Sequence, residues 1–123
     1  MCGIAGIAVR EGGLSERQLK SMQSLLLHRG PDGTGHYIKG NVGLAHTRLA
    51  IIDLDTGNQP IKNSKNDTLI ANGEVYNYLE IKEEIGNNKF TTKSDCESPL
   101  VLFQNYGANF VTELRGMYSI AIF

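Results

Sequence analysis

The amino-acid sequence predicts an α+β fold, with antiparallel or mixed sheets and helices packed outside them. Its predicted elements run β-α-β-β-β-α-α-β, and the crossovers are too short for repeated parallel βαβ units. The first and last segments, residues 2–9 and 117–123, are near-continuous apolar runs of strand length. Fourteen glycines against three prolines cluster at Gly12-Gly13, Gly30, Gly33, Gly35, Gly40 and Gly43. That spacing suits tight turns between strands and places where backbone approaches closely.

Each element has its own signal. Residues 2–9 are small and apolar, as in a strand buried on both faces. Ser15 and Gln18 form a capping box, Leu14 can staple onto Leu19, and Leu19, Met22, Leu25 and Leu26 give the helix an apolar face. Gly30-Pro31 stops it. Residues 35–38 and 42–50 read as two strands joined around Lys39-Gly40-Asn41. Residues 53–66 are polar and turn-rich, a loop, and residues 68–72 a short strand. Asn77 with Glu80 caps a short helix ending at Gly86, with Tyr76 placed to staple onto Ile81. Ser94 with Glu97 opens a further helix to Asn105, and residues 110–114 add a last helical turn.

Composition narrows the function class. At 123 residues and 41% hydrophobic content, the chain suits one domain with one core. A net charge of −1 gives no reason to expect nucleic acid or an anionic membrane as partner. No stretch reaches the ~18 apolar residues of a membrane helix, and no secretory signal is expected at the N-terminus. Cys2 and Cys96 form no disulfide framework, so a cytoplasmic setting with free thiols is expected. The apolar strand ending at Phe123 raises the expectation of a fragment, or of a domain completed by another chain.

The chemistry-bearing residue is Cys2. If Met1 is removed, the chain begins with a cysteine carrying a thiol and an α-amine. Such groups titrate near about 8.5 and about 7.7–8.0, so a base stands covalently beside the nucleophile. A free cysteine is by default a small buried hydrophobe, so Cys2 needs company. His28 and Arg29 sit at a helix C-terminus, where they shape the site rather than react. Arg48 ends an apolar strand, either in an internal salt bridge or as a fork for a ligand carboxylate. Asn72-Gly73 is a hairpin-turn signal or, beside Cys2, a pair of oxyanion donors. Asp95 stabilises a helix start or holds a ligand ammonium, and Cys96 reads as core. His36 and His46 lack metal-ligand spacing, and there is no glycine-rich phosphate loop.

Five ordered stretches carry a resemblance: Met-Cys-Gly-Ile at 1–4, His-Arg-Gly-Pro-Asp at 28–32, His-Thr-Arg-Leu-Ala-Ile at 46–51, Asn-Gly-Glu-Val-Tyr-Asn at 72–77 and Ser-Asp-Cys-Glu at 94–97. Together they resemble the N-terminal glutaminase domain of glutamine-hydrolysing asparagine synthetases, a class II glutamine amidotransferase, over essentially the whole chain (1–123). The resemblance implies an N-terminal nucleophile hydrolase fold, a four-layer α-β-β-α sandwich of mainly antiparallel sheets, here truncated at the C-terminus.

It also implies roles. Cys2 attacks the side-chain amide of L-glutamine, while Asn72 and the Gly73 N–H hold the oxyanion. Arg48 clamps the α-carboxylate, backbone from Leu49, Ala50, Ile51 and Ile52 lines the pocket, and Asp95 with Glu74 takes the α-ammonium. No cofactor is expected in this chain. ATP and magnesium belong to a synthetase domain expected in cis or in trans, where the ammonia would convert aspartate to asparagine. The competing expectations are an inactive glutamine-binding module, the glutaminase part of an amidotransferase acting on another carboxylate, and, more remotely, a protease of the same nucleophile type.

Overall fold

A computed structural model describes all of residues 1–123. Strand β1 (Gly3–Ala8) leads into helix α1 (Glu16–Leu25), then β2 (Gly33–Lys39) and β3 (Val42–Arg48). The two-residue strand β4 (Ile61–Lys62) precedes β5 (Thr68–Val75), helices α2 (Tyr78–Ile85) and α3 (Ser98–Tyr106), and β6 (Gly116–Ile122). Three-residue 3-10 turns at Asn87–Lys89 and Asp95–Glu97, and a longer one at Gly107–Glu113, fill the connections. Two antiparallel three-stranded sheets result, ordered β1-β3-β2 and β4-β5-β6.

Side-chain alternation along the two central strands sets the layers. Gly43 lies under Leu14 and Leu19, and Thr47 Oγ1 donates to the Leu26 carbonyl, so this face of β3 carries α1. Leu14 and Leu19 therefore share one contact, as the staple predicts. The opposite face of β3, with Leu44, His46 and Arg48, turns toward β5 of the second sheet. On β5, Leu69, Ala71 and Val75 pack with Cys96, Leu100 and Leu102 of the α3 side. The even positions, Ile70 and Asn72 among them, face the first sheet. The order of layers is α1, sheet, sheet, α2 with α3.

Several local expectations are corrected. Helix α1 ends at Leu25, and Leu25 itself is 75% exposed; the buried partner to Leu19 is Gln23. Gln23 Nε2 donates to the carbonyls of Gly35 and His46, tying the helix to β2 and β3. Ser15 and Asn77 precede their helices without a side-chain cap. The Asn77 amide instead donates to the Glu113 carbonyl and accepts from Arg115 N–H, satisfying the approach of β6. Tyr76 is 59% exposed and staples nothing. Ser94 caps Cys96 N–H as expected, whereas Glu97 turns away to accept four hydrogen bonds from Thr91 and Thr92. Strand β4 falls inside the predicted loop, β3 stops before Leu49, and β5 continues through Asn72-Gly73-Glu74, so Asn-Gly makes no hairpin turn here.

Candidate active site

One end of the sheet sandwich opens into a cleft. Cys2, Arg48, Leu49, Ile51, Ile52, Asn72, Gly73, Glu74 and Asp95 all line it, although their positions span the chain. The antiparallel registers bring them together: Gly3 pairs with Thr47 on β3, setting Cys2 beside the Arg48–Leu49 exit, and β5 carries Asn72 across the gap. Ala50 is not in the lining; its N–H donates to Asp32 Oδ2 at 2.9 Å, which fixes the outer course of the same loop.

The sulfur of Cys2 accepts from Leu49 N–H at 3.4 Å, and Arg29 Nε donates to the Cys2 carbonyl at 3.1 Å. Both ends of the residue are therefore held, and Arg29 shapes the site as expected. Gly30 allows this close packing, since a Cβ there would meet the backbone of Thr47 and Arg48.

Asn72 Oδ1 is buried without a partner, and Gly73 sits at φ +156°, where a Cβ would overlap the Met117 carbonyl of β6. Glycine is required by the closeness of β6, not by a turn. Met117, from that strand, contributes an apolar wall.

Arg48, only 6% exposed, meets no carboxylate within ion-pair distance. Its Nη1 donates to the Leu54 carbonyl at 3.2 Å and Asn58 Oδ1 at 2.9 Å, and its Nη2 donates to the carbonyls of Ile52 and Asp53. Neutral oxygens hold the buried guanidinium, and its positive charge reaches the Asp53 carboxyl without forming an ion pair. The internal salt bridge weighed for Arg48 is thus not formed.

Asp95, 4% exposed, accepts Val75 N–H through Oδ2 at 2.8 Å; Oδ1 carries no hydrogen bond from the protein. The cleft therefore has a buried cation at one wall and a buried anion at another. Loop residue Asp53 links the two walls. Its carbonyl accepts from Arg48, while Oδ2 accepts from Thr56 Oγ1 at 2.5 Å and Lys93 N–H at 2.9 Å. Burial of the Asp53 carboxyl acts upward, but the Thr56 and Lys93 hydrogen bonds, with the nearby Arg48 charge, outweigh it and hold the group below the usual carboxylate range.

Ser94, Cys96, Gly57 and Gln59 also line the cleft, and sequence reasoning missed all four as site residues. Burial, and then the neighbouring Asp95 and Cys2, push the Cys96 thiol up to about 12, so it stays neutral; Cys96 Sγ lies 3.7 Å from the Gly73 carbonyl. Gln59 Oε1 accepts Ala71 N–H at 2.6 Å, where the short β4 has ended and left that donor free. The capping signal around Ser94 explains a helix start but says nothing of which cleft it borders. No group of three His, Cys, Asp or Glu side chains is placed to hold a metal ion, and no helix is long and apolar enough to cross a membrane.

The chain is similar to known proteins along its whole length. It is 42% identical to asparagine synthetase [glutamine-hydrolyzing] 2 of Bacillus subtilis (strain 168), covering 99% of this chain and 17% of that one. It is 39% identical to asparagine synthetase B [glutamine-hydrolyzing] of Escherichia coli (strain K12), covering 100% of this chain and 23% of that one. The chain thus spans about a fifth of the length of these relatives. Among solved structures, glutamine phosphoribosylpyrophosphate amidotransferase from B. subtilis superposes with a TM-score of 0.72 at 23% identity, over 98% of this chain and 34% of that one. That likeness shows the fold, the N-terminal nucleophile hydrolase sandwich expected from the sequence. The family model of the glutamine amidotransferase domain matches residues 1–123, and the chain belongs to that family.

Proposed function

We propose that this chain hydrolyses the side-chain amide of L-glutamine to glutamate and ammonia through a thioester on Cys2. The observation that carries the reading is the placement of Cys2 in one cleft with Asn72, Gly73, a buried Arg48 and a buried Asp95. A free α-amino acid carries a carboxylate and an ammonium on one carbon, and the cleft offers a cation and an anion to match.

With Met1 removed, the Cys2 α-amine takes the thiol proton and the sulfur attacks the amide carbon. The carbonyl oxygen becomes an oxyanion, held by the Asn72 amide and the Gly73 N–H, each such donor being worth about 3–4 kcal/mol in the transition state. The amine then returns the proton to the departing ammonia. Water, deprotonated by the same amine, opens the thioester and releases glutamate. Glu74, at the exposed mouth, joins Asp95 in holding the ammonium. Similarity to asparagine synthetases points to a synthetase domain, with ATP and magnesium, as the consumer of the ammonia, and to aspartate as acceptor.

The test is ammonia release from glutamine, with intact-mass analysis of the same sample. Wild-type chain is expected to lose Met1, turn over, and take one adduct from a glutamine-shaped electrophile; Cys2→Ala does neither. Normal turnover by chain that retains Met1 would overturn the mechanism.

A further inference from the structure

We infer that Asp53 is a positioning residue that sets the distance between the carboxylate-binding and ammonium-binding ends of the cleft; this rests on the glutamine reading above. Arg48 ends β3, Asp95 opens the 3-10 turn before α3, and the two share no hydrogen bond. The loop after β3 and the irregular segment leading to Asp95 are joined directly by the carboxylate of Asp53.

Asp53 reaches in both directions. Toward Arg48, its carbonyl oxygen accepts from Nη2 and also from Gly57 N–H at 3.2 Å. Its Oδ1 accepts Thr56 N–H at 2.9 Å, which closes the loop around the guanidinium. Toward Asp95, Oδ2 accepts Lys93 N–H at 2.9 Å, and Lys93 stands two residues before Asp95. Thr56 Oγ1 reinforces this link, donating to Oδ2 at 2.5 Å and lying 3.4 Å from Lys93 N. Asp53 does this from φ 54°, in the left-handed region that Asp tolerates better than most residues. A residue in that conformation turns its carbonyl to the guanidinium while its side chain crosses to the neighbouring segment. Without the carboxylate, the Arg48 loop and the Asp95 segment move independently, and a substrate held at both ends has to order them itself.

The link acts on recognition of the α-carbon groups, not on the sulfur. Two variants separate these. Asp53→Asn keeps the backbone preference but has one acceptor oxygen, so it cannot accept Thr56 N–H at Oδ1 together with Thr56 Oγ1 and Lys93 N–H at Oδ2. Asp53→Gly keeps φ available and removes the side chain altogether, so that one of the two remains usable if the other fails to fold. In the full protein, KM for glutamine is expected to rise roughly tenfold with kcat within about threefold, the size of one lost charge-assisted hydrogen bond. Inactivation by a diazoketone analogue of glutamine, which carries both α-groups, is expected to slow in parallel. Alkylation of Cys2 by iodoacetamide, which carries neither, is expected to stay at the wild-type rate. An unchanged KM, or equal slowing with both reagents, would overturn the role of Asp53. A wild-type protein without glutamine turnover, or without protection of Cys2 by glutamine, would instead overturn the reading on which it rests.

Discussion

His46 makes the stability of this protein fall on mild acidification. The residue lies on β3 between the two sheets, is 1% exposed, and has no hydrogen-bond partner for either ring nitrogen. Burial pushes its imidazole down to about 4; the Ala71 backbone opposes this without reaching hydrogen-bond geometry, and the nearby Arg48 charge adds to it. In the unfolded chain an imidazole titrates near about 6.5. As pH falls, the unfolded state therefore binds the proton first, and the folded state loses stability between about 6.5 and about 4. The full gap corresponds to about 3 kcal/mol, of which about 2 kcal/mol is lost between pH 7 and pH 5. His46→Leu removes the titration along with two unpartnered polar atoms, so it is expected to match or exceed wild type at pH 7. Urea unfolding of both proteins at pH 7, 6 and 5 separates this contribution from that of the carboxylates, which is common to both. Wild type should lose about 2 kcal/mol more than the variant over that range. Equal slopes for the two proteins would refute the reasoning.

Two further substitutions probe the cleft. Gly73→Ala places a methyl against the Met117 carbonyl of the paired strand at a backbone angle alanine rarely adopts; unfolding by urea should register a loss of at least about 2 kcal/mol. Asp95→Asn keeps an oxygen for Val75 N–H but removes the charge. Its KM for glutamine should rise roughly tenfold or more while its thermal midpoint stays near wild type, and an unchanged KM would take the ammonium site away from this residue.

Much of the architecture was legible because apolar runs and glycine breaks are local signals. The strands at both ends, the β2–β3 hairpin, and the stops at Gly86 and Gly107 all follow from them. Capping boxes were less dependable. Ser15, Asn77 and Glu97 have side chains that serve equally well elsewhere, and Asn77 and Glu97 satisfy backbone groups of distant segments. Leu25 and Gln23 exchanged places for a related reason: the helix packs over strand backbone whose carbonyls needed donors, and an amide filled that need. β4 is too short for any periodicity, and Gln59 beside it became a site residue by covering one free N–H of β5.

The sequence alone was enough to single out Cys2 and its five motif stretches, because nucleophile, guanidinium, amide and carboxylate are residue types that declare their chemistry wherever they stand. What each of those groups meets is a property of the folded chain. Arg48 finds neutral carbonyls and no acid, Gly73 lies within a strand pressed by Met117, and Asp53 joins two segments 40 residues apart through Lys93. Those partners are set by strand register and sheet stacking, long-range pairings that no local pattern encodes.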